Sequence, residues 1–381
     1  MRFHPFLNLV SASAVPIVGV AMMALAGATM AQSPTAAPMS PAVAAIYNSS
    51  HTIKTNVPGV TGFPDLPPGF DAVNASPAQR AAYGLPPAPP ATDPDSYKIW
   101  KKAMSHIGHA RHYTGPLTVT KQWSLPMKAA GKPTTSPADG TTSAISLNWS
   151  GVASTTKATA WNTNNSFYLV LSEFNVPAAQ EAFGFCDGAY DLEVSWNGID
   201  GYSNGDVLQG GSYSQAFCSG GVTTTYYCAW VEWAPSYPIL CQFVVNPGDD
   251  LIVETYATGP MQGYVTVYDL TLDIYADVSL VPTEPPYLVG NSAEYIVERP
   301  CCVGSNFYPL ANYISDFWAG NTAYTNAGVL RTPGQTGPNT SLITMFADDG
   351  VTAISHPEQI GPPYQIWFSD EHCAYSGGCT P

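Results

Sequence analysis

Cys228-Ala-Trp-Val-Glu-Trp233 and Ala293-Glu-Tyr-Ile-Val-Glu298 are the stretches whose reading decides the fold. Each is short, rich in Val, Tyr and Trp, and set between turn-forming residues, which is the texture of a β-strand. Side chains alternate across a strand, so Cys228, Trp230 and Glu232 share one face, and Glu294 and Glu298 share a face with Ile296. Tryptophan is seldom left in water. A face that carries both acids and tryptophans is therefore expected to line a groove.

Similar runs recur on either side. Ser166 to Val176, Leu192 to Gly198, Thr223 to Trp233, Ile239 to Val245, Leu251 to Ala257, Tyr264 to Val278, Ser341 to Phe346 and Tyr364 to Phe368 all read as strands, broken by Gly, Asn, Asp and Pro. No helix is expected beyond Leu147. So many strands joined by short turns predict an all-β region in which two antiparallel sheets pack face to face as a β-sandwich.

The chain before Leu147 has another character. Residues 1–31 have a basic start at Arg2, an apolar run from Ala14 to Gly27 and a small-residue exit at Thr29-Met30-Ala31, the layout of a cleaved export signal. That run is too short to anchor the chain in a bilayer. Residues 32–140 hold 17 of the 35 prolines and no cysteine. They are expected to be largely irregular, apart from one short basic helix over Asp95 to His112, where Ile99, Ala103, Ile107 and Ala110 recur at helical spacing. Three segments follow: a signal over 1–31, a prosegment and linker over 32–140, and a mature domain over 141–381.

All eight cysteines lie after residue 185, an even number in an exported chain, so disulfides are the expectation. Neighbouring cysteines suggest Cys228 with Cys241 and Cys373 with Cys379; the rest stay open. Zinc is disfavoured because no pair has the Cys-x2-Cys spacing. Charge is uneven: from residue 141 onward three Lys and Arg stand against 23 acids, a net −20, whereas residues 32–140 carry nine basic residues against five acids, net +4. An acidic domain of this kind repels itself at neutral pH and is relieved by acid. It is a poor partner for nucleic acid or anionic membranes.

Six motifs then carry a resemblance: Asn148-Trp-Ser-Gly151, Trp196-Asn-Gly-Ile-Asp-Gly201, Leu208-Gln-Gly-Gly211, Ala229-Trp-Val-Glu-Trp233, Pro247-Gly-Asp249 and Ala293-Glu-Tyr-Ile-Val-Glu298. In this order they resemble the glutamic peptidases, or eqolisins. The resemblance implies a concanavalin-like jelly-roll sandwich whose concave face holds a catalytic Gln and Glu, by position Gln209 and Glu298. Asn197, Gly210, Tyr295 and Arg299 depart from it, standing where the family commonly has Val, Thr, Trp and an acid.

The chemistry suits that pair. Amide hydrolysis needs a base for water, a donor for the oxyanion and an acid for the leaving nitrogen. One Glu can be base and then acid, and a neutral Gln amide donates N–H at any pH. Asp200, Glu232 and Glu294 are supporting candidates, and Trp196 and Trp230 are candidates for the groove floor. The expected protein is a secreted, monomeric acid endopeptidase without metal or organic cofactor, acting on polypeptides and silenced by its own prosegment. At neutral pH the basic helix around Lys98, Lys101 and Lys102 is expected over the acidic groove, with His106, His109 and His112 adding repulsion once acid neutralises it. The rival readings are a secreted lectin on the same sandwich and a two-carboxylate glycosidase. Gly201-Tyr-Ser-Asn-Gly205 mimics a serine-hydrolase elbow but falls in a loop between strands.

Overall fold

The computed structural model describes residues 39–161, 164–183, 186–361 and 364–370. The expected signal and the Cys373 and Cys379 pair lie outside the described residues. Strands from Leu147 onward build the expected sandwich. A front sheet runs, neighbour by neighbour, through Leu240–Val244, Val222–Ala234, Val207–Ser219, Tyr190–Ile199, Ser292–Glu298, Trp149–Thr155 and Thr340–Phe346, all antiparallel, with Thr142–Ser146 added in parallel at the edge. A back sheet runs through Ile274–Leu280, Gln262–Asp269, Asp250–Gly259, Phe167–Asn175, Ser315–Thr325, Gln365–Asp370 and Ala353–Gly361. Pairing of Thr340–Phe346 with Ala353–Gly361 joins the two.

Alternation explains the core. Leu208, Val231, Val297 and Val152 of the front sheet face Val170, Val253, Val267 and Trp318 of the back sheet, all buried. Each such side chain contributes about 1.5–3 kcal/mol on burial. The run Tyr264 to Val278 is two strands because the Asp269 carboxylate accepts the amides of Thr271 and Leu272 at 2.9 Å and folds the chain back. The Val207–Ser219 strand, which carries Gln209, is absent from the sequence reading; Gly210-Gly211 hides it.

Residues 39–140 wrap the sandwich. Helices α1 (Pro41–Ser49), α2 (Pro77–Ala82) and α3 (Pro94–Ile107) lie on the outer face of the back sheet. The single helix expected is thus one of three. It starts after Asp93 and is capped at Gly108 rather than running to His112, and Arg111–His112 pairs with Ile274–Leu280. The buried stripe of Ile99, Ala103 and Ile107 packs with Leu171, Ile252, Tyr268 and Tyr275. Apolar burial therefore places α3 on the back sheet, a correction to its expected seat over the acidic groove. Lys102 Nζ reaches Glu173 Oε1 at 2.6 Å and Asp250 Oδ2 at 2.7 Å there, while Lys98 and Lys101 are exposed. The histidines also face the back sheet: His106 approaches Asp273, and His112 lies between Asp65 and Asp277.

Further on, residues 116–135 run as an extended strap over the front sheet. Thr118–Val119 pairs with Leu240–Val244, and Thr134–Thr135 with Thr142–Ser146. The edges at Leu240–Val244 and Ile274–Leu280 are thus both covered by N-terminal chain, which hides their unpaired backbone groups. Cys228 and Cys241 are joined as expected, across neighbouring front-sheet strands; Cys186 with Cys218 and Cys301 with Cys302 are joined as well. Among the described residues no helix is long and apolar enough to cross a membrane.

Candidate active site

Register fixes the site. Gln209 lies opposite Glu232 on one side and Gly198 on the other, and Gly198 lies opposite Glu294. One step along, Trp230, Gly211, Trp196 and Ile296 form the next row. A further two residues along its strand, Glu298 stands opposite Val194. The strands therefore bring Gln209, Glu232, Glu294, Glu298, Trp196 and Trp230 onto the outer face of the front sheet. A Cβ at Gly198 would sit 3.2 Å from Gln209 Cβ and 2.9 Å from the Trp196 ring, so the position beside Gln209 has no room for a side chain.

Glu298 is the centre of the polar contacts. Its Oε2 accepts Trp196 Nε1 at 2.9 Å, and its Oε1 accepts Asn148 Nδ2 at 3.1 Å. Trp149 packs edge-on against Trp196, 4.8 Å between centroids, and holds that indole in place. Gln209 Nε2 donates to Glu232 Oε2 at 3.1 Å. Trp230 is buried in the same apolar patch as Trp149 and Trp196.

A residue that sequence reasoning did not single out completes the site. Ser124, from the strap, is fully buried against both side chains. Its carbonyl oxygen accepts Gln209 Nε2 at 2.7 Å, and its amide donates to Glu232 Oε2 at 3.0 Å. Its Oγ lies 2.5 Å from Glu298 Oε2 and 3.1 Å from Gln209 Oε1. The next amide, Leu125 N–H, donates to Glu298 Oε1 at 3.2 Å. Nothing in the composition of 116–135 marks this seat.

Burial sets the electrostatics. Desolvation pushes the Glu298 carboxyl up to about 8, against the opposing bonds from Ser124, Asn148, Trp196 and Leu125. Glu232 is raised well above the usual range by burial and by the nearby Glu298, and Glu294 by burial and by Asp200. Burial thus favours the neutral form of all three carboxyls, and a neutral carboxyl can donate a hydrogen bond. Arg299 does not counter this. Its side chain turns to the Leu147 carbonyl and to Asp348, as strand alternation requires.

Asp200 belongs elsewhere. It ends its strand with φ 73°, and its carboxylate accepts the amides of Val289, Gly290 and Asn291 at 2.6–2.8 Å. It anchors that loop and makes no bond to Gln209 or Glu298. Two of the departures from the family pattern have physical causes. Asn197 points inward and ties the sheets together, donating to the Val253 carbonyl at 2.8 Å and accepting Thr255 Oγ1 at 2.7 Å. At Gly210 a Cβ would come within 2.4 Å of Val265 Cγ1.

Comparison with known proteins follows from this geometry. The sequence model of the Peptidase A4 family matches residues 147–354. Among solved structures, scytalido-glutamic peptidase with a transition state analog inhibitor is similar at 20% identity, over 59% of this chain and 98% of that one, with a TM-score of 0.46. SCP-B, a member of the Eqolisin family in complex with the tripeptide Ala-Ile-His, is similar at 18% identity over 59% and 98%, TM-score 0.44. Aspergilloglutamic peptidase from Aspergillus niger is similar at 22% identity over 47% and 99%, TM-score 0.39. No curated protein matches the sequence significantly.

Proposed function

Because this chain belongs to the Peptidase A4 family, the glutamic peptidases, we propose that it is a secreted, acid-acting endopeptidase in which Glu298 and Gln209 form the catalytic pair and residues 32–140 are an inhibitory prosegment. Membership makes it a peptide hydrolase and leaves the lectin and glycosidase readings without support. The observation that carries the assignment is the Ser124–Leu125 peptide bond, held between the two side chains: its carbonyl oxygen is on Gln209 Nε2 and its nitrogen on Glu298 Oε1.

A substrate bond in that position needs little else. Glu298, ionised once the strap leaves and water returns to lower its pKa, takes a proton from a water molecule. The hydroxide oxygen bonds to the carbonyl carbon, and Gln209 Nε2 holds the oxyanion that forms. Glu298 then gives its proton to the departing nitrogen as the C–N bond breaks. Glu232 accepts from Gln209 Nε2 and keeps that amide turned toward the carbonyl, while Trp196 and Asn148 fix Glu298. No metal or organic cofactor enters these steps.

The test is hydrolysis of denatured casein by the acid-treated full chain at about pH 4. Loss of one oxyanion donor costs about 10²–10³ in turnover, so Gln209→Ala should fall by that factor and Glu298→Gln to background. Retention of more than about half of wild-type activity by either folded variant would remove the assignment.

A further inference from the structure

Resting on that assignment, we propose that Ser124 is a water-displacing plug: its hydroxyl occupies the place of the hydrolytic water and, by keeping water from Glu298, keeps the Ser124–Leu125 bond, otherwise held as a substrate, from being cut. The bond is gripped on both sides. Upstream, Trp123 and Cys301 exchange backbone hydrogen bonds of 2.7 and 2.8 Å. Downstream, the Leu125 carbonyl accepts Asn148 Nδ2 at 3.1 Å and Trp149 Nε1 at 3.0 Å, and Met127 N–H donates to the Gly201 carbonyl at 3.0 Å. An extended backbone anchored this way is a bound peptide in all but sequence.

What the arrangement lacks is room for the nucleophile. A water activated by Glu298 has to touch that carboxyl and lie beside the carbonyl carbon. Ser124 Oγ, 2.5 Å from Glu298 Oε2 and 3.1 Å from Gln209 Oε1, makes the contacts such a water would make. Ser124, Gln209, Glu232 and Glu298 are all fully buried. With Glu298 neutral, one proton serves each bond around the hydroxyl: Glu298 donates to Ser124 Oγ, Ser124 donates to Gln209 Oε1, and Gln209 Nε2 donates to the Ser124 carbonyl and to Glu232 Oε2. Nor can the hydroxyl act in the water's stead. Attack by Oγ on its own carbonyl carbon would close a four-membered lactone. The plug is thus an oxygen in the right place on the wrong tether.

Removing the hydroxyl should admit water and turn the inhibitor into a substrate. In Ser124→Ala or Ser124→Gly the admitted water hydrates Glu298 and lowers its pKa; ionised Glu298 takes a proton from that water, the hydroxide oxygen bonds to the carbonyl carbon of position 124, and Glu298 gives the proton to the Leu125 nitrogen as the C–N bond breaks. The experiment follows the intact mass of the full chain after transfer from about pH 7 to about pH 4, reading only the fragments that end at 124 and begin at Leu125. Both variants should release them at least about tenfold faster than wild type, and Ser124→Thr, which keeps a hydroxyl, should behave as wild type. Equal rates for wild type and the Thr, Ala and Gly variants, or no cleavage at this bond in the Ala and Gly chains while casein is still hydrolysed, would overturn the plug. The double variant Ser124→Ala, Glu298→Gln should not cut; if it does, the assignment of Glu298 fails instead. Synthetic peptides spanning 119–130 cover the case of a misfolded variant. Added to acid-treated wild type, the peptide of native sequence should inhibit and stay intact, and its Ser124→Ala counterpart should be cut after position 124. Equal cutting of both, or of neither, again refutes the plug.

Discussion

Asp316 offers a stability prediction that separates acid adaptation from surface charge. It lies buried between the sheets, accepting Trp318 Nε1 at 2.6 Å and Ser195 Oγ at 3.0 Å, and Ser195 Oγ also lies 2.5 Å from Glu193 Oε1. Burial pushes Asp316 up to about 7. A rise from about 3.9 in the unfolded chain to about 7 corresponds to ~4 kcal/mol, taken as an upper figure for a buried group. The sign follows from proton uptake: between these values the folded chain holds a proton that the unfolded chain has released. The contribution is fully present below about pH 3.9 and is lost as pH rises through about 7. Glu254, Asp206 and Glu298 are pushed to about 8 by burial as well. The perturbation is Asp316→Asn, made in a Glu298→Gln background to prevent self-digestion, and the assay is urea unfolding from about pH 4 to about pH 8. At about pH 4 the two chains should agree within ~1 kcal/mol; by about pH 7 the Asn variant should have lost several kcal/mol less than its parent. Stability curves that stay parallel within ~0.5 kcal/mol across the range would refute the reasoning.

Three further outcomes are expected. Glu294→Gln, on the same face but two strands from Gln209 and bonded to neither Gln209 nor Glu298, should keep casein turnover within about tenfold of wild type; a loss as deep as that of Glu298→Gln would move the proposed base to Glu294. Asp200→Ala strands three loop amides at 289–291 and should cost about 2–4 kcal/mol in urea unfolding, whereas a cost below ~0.5 kcal/mol would show the loop to be held by other means. Gly210→Thr, which restores the common family residue, should destabilise this chain by about 1–3 kcal/mol because of the Val265 contact; a neutral or stabilising result in the same measurement would show that Val265 yields freely.

Strand alternation is strict and local, which is why each quoted stretch was enough to group its own residues, Trp230 with Glu232 and Glu294 with Glu298, while the register that brings the two groups onto one face is long-range. Alternation fails where the backbone leaves the extended region. Asp200, just past Tyr190–Ile199, is turned away by its own φ of 73°, and no periodicity reports that. Glycine hides a strand in another way. Gly210-Gly211 lowers the β texture of Val207–Ser219 because packing at both positions forbids a side chain, a fact held by Val265 and Ser195 rather than by local sequence. Helices α1 and α2 were within reach: Ser40-Pro41 and Ser76-Pro77, the latter with Gln79 closing a capping box, are start signals that a proline-rich setting obscured. The strap was not. Its shape comes from the sheet beneath it, so Ser124 has no mark in the sequence.

The place of the strap also changes what acid can do. The charged contacts of residues 39–140 lie on the back sheet: Lys102 with Glu173 and Asp250, His106 with Asp273, and His112 with Asp65 and Asp277. Burial alone would lower the His112 pKa, but its bonds to Asp277 and Asp65 more than offset this and raise it. Its contribution is therefore complete at low pH and fades as pH rises through the raised value, so acid tightens this contact. The strap, by contrast, is held along its length by backbone bonds to Cys301, Gly201 and Ile239, which do not titrate. Acid therefore strengthens a contact at the back of the molecule and does not lift the strap off the front. On the assignment of Gln209 and Glu298, freeing the site then requires a cut in the strap or its flanks, and a chain that positions its own peptide bond across its catalytic pair needs a reason not to cut there at once. A serine hydroxyl in the seat of the water supplies that reason.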